Sequence, residues 1–194
     1  MQSGKNKKNN GLIPPHGGYR KLVSYQMAEI VYDATAKFCS RFIDKHSRTY
    51  DQIVQAARSG KQNIAEGSMA SGTSKKIELK LIGIARASFE ELLQDYEDHI
   101  RQNSLSLWSK NDPRAVKIRR IGRRKNRSYM SYRTYIEKSP AETAANAVIC
   151  IIHQTNYLLD QQLRQLEKDF LDKGGFTERM YHTRRKKRHG DKGY

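Results

Sequence analysis

The chain reads as an all-α protein, an antiparallel up-and-down four-helix bundle with a basic insertion between helices 3 and 4. Three observations predict this. Apolar residues recur every three or four positions over four long stretches, the period of one helix face. Between the second and third stretches, Ala70-Ser71-Gly72-Thr73-Ser74 forms a tight corner of small residues, so two long helices meet there and must hide both stripes. Basic residues outnumber acidic ones by 37 to 20, yet the excess lies outside these four stretches.

Taken in order, residues 1–18 are a polar, basic leader closed by Pro14, Pro15, Gly17 and Gly18, which resist regular structure. This leader is expected to be mobile. From Tyr19 to about His46 the residues Val23, Met27, Ile30, Ala34, Phe38 and Phe42 make one stripe on a first helix. Ser47 and Thr49 offer capping hydroxyls and Asp51 a first-turn charge for a second helix, which runs to about Met69. It carries Ile53, Ala57, Gly60, Ile64 and Gly67 on one face, and Ala57, Gly60, Ala65 and Gly67 are small enough for a neighbouring helix to come close. Gly60, Asn63, Glu66 and Gly67 are the structural candidates. A glycine inside a helix costs up to about 1 kcal/mol against alanine, which close packing can offset. For Glu66 an ion pair with Arg58, or with an arginine on another helix, is the expected role.

Thr73 or Ser74 caps the third helix, whose stripe is Ile77, Leu81, Ile84, Ser88 and Leu92 and which ends near Asn103. Its polar face carries Glu78, Lys80, Glu90, Glu91, Gln94, Glu97 and Asp98 and reads as solvated, or as a seat for a basic arm. Residues 104–138 break the bundle pattern; after Trp108, Asn111-Asp112-Pro113 is a helix start. Ser139-Pro140-Ala141-Glu142 then reads as a capping box with proline at the first helical position. The fourth helix sets Ala144, Val148, Ile151, Thr155, Leu158, Gln162, Leu166 and Phe170 on one face and stops at Gly174-Gly175. The bundle thus spans 19–175, and a basic tail over 176–194 is expected to lack structure on its own.

Charge points to a partner class. Segment 1–22 holds five basic and no acidic residues, 109–138 eleven and two, and 176–194 seven and two, which leaves the rest of the chain near neutral. Three basic extensions on a neutral scaffold are the footprint of a polyanion binder, nucleic acid first. The candidates for phosphate contact are Arg119, Arg120, Arg123, Arg124, Lys125, Arg127 and Arg133, with Arg184, Arg185, Lys186, Lys187 and Arg188 in the tail. Tyr129 and Tyr132 either stack on unpaired bases or, with Tyr135 and Ile136, dock the insertion on the bundle. The alternative partner is an acidic protein, for which the chain would serve as a docking scaffold.

The residues at Asn63-Ile64-Ala65-Glu66-Gly67, Ser74-Lys75-Lys76 and Ile84-Ala85-Arg86-Ala87-Ser88-Phe89-Glu90-Glu91-Leu92 resemble a known family. It is that of the bacterial four-helix-bundle proteins encoded by intervening sequences in large-subunit ribosomal RNA genes, with the accessory variability protein of diversity-generating retroelements among its members. Residues 20–103 carry this likeness. Ala144-Ala145-Asn146-Ala147, His153 to Asp160 and Gly174 to Arg179 are similar to the "four helix bundle suffix" found on a subset. The resemblance implies an up-down bundle, a ring-shaped homopentamer and, from the retroelement relative, binding to nucleic acid and a reverse transcriptase. The insertion 104–138 departs from the shorter relatives.

No enzyme is expected. The inward Glu-x-x-His pairs of a di-metal bundle are missing, as are a nucleophile with its base and a phosphate-cradling glycine loop. Asp95 and His99 are a lone pair one turn apart, and His153 reads as a core or interface histidine. Cys39 and Cys150 stand far apart without ligand spacing and fit small buried positions. No cofactor or metal is therefore expected. With no membrane-length apolar run and no apolar signal core, a cytoplasmic protein is the expectation.

Overall fold

The computed structural model describes residues 13–190. It consists of α1 Val23–Phe42, α2 Arg48–Ala70, α3 Lys75–Gln102, α4 Pro113–Gly122, α5 Arg133–Glu137, α6 Ala141–Lys173 and α7 Phe176–Gly190, with short 3-10 turns at Tyr19–Lys21 and Tyr129–Ser131. No strand occurs among the described residues. The long helices α1, α2, α3 and α6 surround one core, with α1 on α2 and α6, and α3 on α2 and α6.

Local chemistry explains most boundaries. Ser47 Oγ accepts from the Tyr50 amide at 3.2 Å and opens α2; Ser74, rather than Thr73, does the same for α3, accepting from Ile77 at 3.2 Å. At the other end of the chain, Gly174 adopts φ +64°, which a side chain would resist, and stops α6. The first helix spans its stripe but is shorter at both ends than Tyr19 to His46: Leu22 is extended, and α1 ends at Phe42. The capping box at Ser139 does not form. Pro140 is itself the N-cap, Ser139 Oγ donates to the Thr134 carbonyl at 3.2 Å, and Glu142 instead accepts from the Ser106 amide at 3.2 Å, tying the loop before α4 to α6.

The α2–α3 contact is set by missing side chains. At Gly60 an added Cβ would lie 2.6 Å from the Phe89 ring, and at Gly67 it would sit 3.4 Å from Leu81 and Ile82. Phe89 is fully buried, as are Phe38, Ile64 and Leu92; burying one such side chain stabilises the fold by about 1.5–3 kcal/mol. Beside Gly60, Ser59 Oγ and Ser88 Oγ share a hydrogen bond of 3.0 Å. Asn63 folds back on its own helix, donating to the Ser59 carbonyl at 2.9 Å. Across the core, Tyr96 Oη donates to Thr35 Oγ1 at 3.2 Å, and its ring lies 4.9 Å from that of Phe38.

Several expectations are corrected here. The core stripe of α3 is Ile82, Ala85, Phe89, Leu92, Tyr96 and Ile100, whereas Ile77 and Ile84 are 49% and 39% exposed. Two apolar registers are present on this helix, and the core takes the one holding both large aromatics. Glu78 falls on the inner side, 7% exposed, with Lys75 Nζ at 2.7 Å. Glu66 is exposed and pairs with no described residue; eight residues at 100° each leave Arg58 about 80° away around the helix. The tail is helical as α7, where Arg, Lys and Glu are good helix formers and Glu178 accepts from the Gly175 amide at 2.7 Å. Of the leader, residues 1–12 lie outside the described residues, while Gly17 donates to the Ser68 carbonyl at 3.1 Å and so lies against the end of α2.

Candidate nucleic-acid interface

The insertion is built to hold cations outward. Asp112 accepts from the Arg114 amide at 2.8 Å and Pro113 takes the first turn, so α4 starts where the sequence places it. Ala115, Ile118 and Ile121 are buried at three-residue spacing and seat α4 on α6. That face turns Arg120, Arg123, Arg124 and Lys125 to solvent. Arg127 is half-buried and tied down, donating to Gln26 on α1 at 3.1 Å and to the Arg124 carbonyl at 2.8 Å.

Ion pairing separates the cations further. Arg114 is neutralised by Asp112 at 2.8 Å, with Glu142 at 3.6 Å, and its guanidinium lies 4.5 Å from the centre of the Trp108 ring. Arg133 pairs with Glu137 at 2.8 Å, and Tyr129 Oη donates to the same carboxylate at 2.8 Å. Those hydrogen bonds hold Glu137 below the usual carboxylate range, and burial together with Glu137 pushes the Tyr129 phenol up. By contrast, Arg120, Arg123, Arg124 and Lys125 make no ion pair with any described residue. They carry uncompensated positive charge.

Tyr132 corrects the stacking expectation. It is 0% exposed and its phenol is pushed up to about 12 by burial, so it packs the insertion onto the core and presents no ring to a base. Tyr129 is half-buried and committed to Glu137. The tail block Arg184, Arg185, Lys186, Lys187 and Arg188 is exposed on α7, and five consecutive helical residues spread their charge around the axis rather than along one side. No ion pair or hydrogen bond joins it to the insertion among the described residues.

Two grooves flank the insertion and meet at Arg119, Lys110 and His153, which line both. The larger, about 560 Å³, lies between α1, α4 and α6. The smaller, about 450 Å³, runs past Trp108 and Cys150. Arg119 is fixed at the junction: it donates to the Lys110 carbonyl, while its own carbonyl accepts from Gln154 Nε2 at 3.0 Å. His153 is exposed here, not a core histidine. Cys150 is buried, its thiol pushed up to about 11 by burial against the opposing effect of Arg119. Burial also lowers the pKa of His99, which stacks edge-on against Phe38 with 5.1 Å between ring centres. Among the described residues no cluster of His, Cys, Asp and Glu has the makings of a metal site, and no helix is long and apolar enough to cross a membrane.

Sequence reasoning missed the groove because its walls are distant in the chain. Val23 and Met27 come from α1, Arg119 and Gly122 from α4, and His153, Gln154 and Tyr157 from α6. The available signal was the pair His153 and Tyr157, one turn apart on the polar side of α6. The fold and site define an all-helical protein with a charged, grooved appendage. No family model, curated protein or solved structure matches the chain.

Proposed function

We propose that the chain is a non-enzymatic nucleic-acid-binding protein in which an up-and-down bundle presents the cationic turn 119–127. The observation that carries this reading is the unpaired, exposed set Arg120, Arg123, Arg124 and Lys125 beside a core of near-neutral charge. Phosphates supply the compensating anions, and the helical tail adds five more cations at a second place. The up-and-down path is supported by opposed numbering at three contacts: Gly60 meets Phe89 and Gly67 meets Ile82, Arg86 meets Asp160 and Glu90 meets Asn156, Ser24 meets Gln162 and Arg41 meets Ser139. Binding is expected to weaken steeply with salt, the signature of counterion release. Titrating the full chain into labelled RNA and DNA at two salt concentrations tests it. Salt-independent binding, or no binding alongside nuclease-resistant capture of an acidic protein, would overturn the reading in favour of a docking scaffold.

The same proposal includes self-association. Ile77 and Ile84, with half-buried Leu81 between them, leave an apolar strip on the outside of α3, and such strips mark contact sites when they are contiguous. Five copies is the number the family resemblance implies. The mass in solution is expected to exceed one chain, and Ile77→Glu with Ile84→Glu is expected to reduce it to one while the helical content stays constant. A wild-type mass equal to a single chain of 22.4 kDa would contradict this part.

A further inference from the structure

The larger groove differs from the cationic turn beside it in having an apolar floor. Val23 and Met27 of α1 and Leu158 of α6 form that floor, and Lys110, Arg119, Arg123 and Arg127 stand around it. Among the described residues, no aspartate or glutamate lines it. Tyr157 closes one side with a ring that is 61% exposed, its hydroxyl held by Gln161 Nε2 at 2.6 Å. On another side the Gln154 amide is orientated by its bond to the Arg119 carbonyl, and its Oε1, buried against Gly122, has no hydrogen-bond partner among the described residues. Gly122 makes that arrangement possible, because a Cβ at this position would collide with the Gln154 amide.

Each feature narrows the ligand. Cations without a carboxylate select an anion. An exposed tyrosine face and an aliphatic floor select a flat ring. At about 560 Å³ the groove has the size of a small-molecule site, so it takes one such unit. A paired duplex keeps its bases stacked inside and offers none to it.

We infer that this groove is a nucleotide site, in which Tyr157 stacks on a base and Arg119 and Arg123 hold its phosphate. The inference rests on the nucleic-acid reading and sharpens it: the preferred ligand is a strand with unpaired bases, and a free mononucleotide shares the same chemistry.

The full chain is tested with a labelled single-stranded RNA, the same strand annealed to its complement, and adenosine monophosphate. Trp108 is the chain's single tryptophan, and it lines the adjoining groove with Arg119, so its fluorescence reports occupancy without a label. Tyr157→Ala and Val23→Glu alter residues that are 61% and 41% exposed, so folding is not at stake. Tyr157→Ala is expected to weaken single-strand binding about tenfold, in keeping with the loss of one base stack, and to leave duplex binding unchanged, whereas Val23→Glu sets a carboxylate among Arg119, Arg123 and Arg127 and is expected to weaken both strand forms, the single strand more. A saturable response to adenosine monophosphate that Val23→Glu abolishes identifies the free nucleotide as a ligand of the groove. Its absence, with strand discrimination retained, assigns the groove to strands alone. Equal loss on both strand forms, or none on either, overturns the groove assignment while the nucleic-acid reading stands. Failure of wild type to bind either strand form overturns that reading itself.

Discussion

Replacing Arg120, Arg123, Arg124 and Lys125 together by serine is expected to lower affinity for single-stranded nucleic acid roughly a hundredfold or more near 0.1 M salt, and to flatten the salt slope by about three. The size follows from the number of charges: each phosphate neutralised by a cation contributes about 0.7 to the slope on single strands. The variant is expected to fold as wild type does, because all four side chains are exposed and form no ion pair with a described residue. The contact that Arg124 makes inward is through its carbonyl, which accepts from Arg127 and survives the change. A matched variant at Arg114 and Arg133 separates position from mere charge, since both are already neutralised by carboxylates. Filter-binding or anisotropy titrations read both variants, and the second is expected to lose much less.

The second large effect is on stability. Gly60→Ala is expected to lower it by about 1–3 kcal/mol, the cost of overpacking, even though alanine alone favours a helix by close to 1 kcal/mol over glycine. The reason is the approach to three atoms of the Phe89 ring, two at 2.6 Å and one at 2.9 Å, in a ring that is fully buried and has nowhere to go. Phe89→Ala is expected to cost about 3–5 kcal/mol through the cavity it leaves. In the double variant the methyl at position 60 occupies part of that cavity. The two losses are therefore expected to be less than additive, and thermal denaturation of the four proteins in the cycle measures the coupling. Strict additivity would mean that Gly60 is a kink rather than a packing site.

How far the sequence carried depended on how unambiguous each local signal was. On α1 there is one apolar register, and Met27, Ile30, Ala34 and Phe38 are buried as their spacing demands, whereas the first half of α6 is buried all round, from Ala144 to Ile152, and Phe170 at the end of its stripe is exposed. On α3 two registers compete, and only packing against Gly60 selects the one that contains Phe89. Proline and glycine punctuation was legible at Asp112-Pro113 and Gly174, where backbone restrictions act locally. It misled at Ser139, where Glu142 has a better partner in the Ser106 amide, far away in the chain.

The site followed the same logic. That residues 109–138 are basic is a property of composition, but which arginines are spent on carboxylates is a property of geometry. Arg114, two residues after Asp112, and Arg133, one turn before Glu137, have an acid within local reach, as Arg120 and Arg124 do not, and the structure pairs both. Tyr132 and Tyr129 sit in an insertion whose docking onto α1 and α6 no local pattern fixes. Val23 belongs to a core stripe by spacing, yet it is 41% exposed because α4 stands off from it and leaves the groove.

The central claim, that spare cations on the turn 119–127 bind a nucleic-acid backbone, is tested most directly by the salt dependence of the dissociation constant of the full chain for a single-stranded RNA. A straight line of log affinity against log salt, with a slope of about −3 or steeper, is expected for at least four phosphates neutralised. A slope near zero, or no measurable complex at low salt, would contradict it.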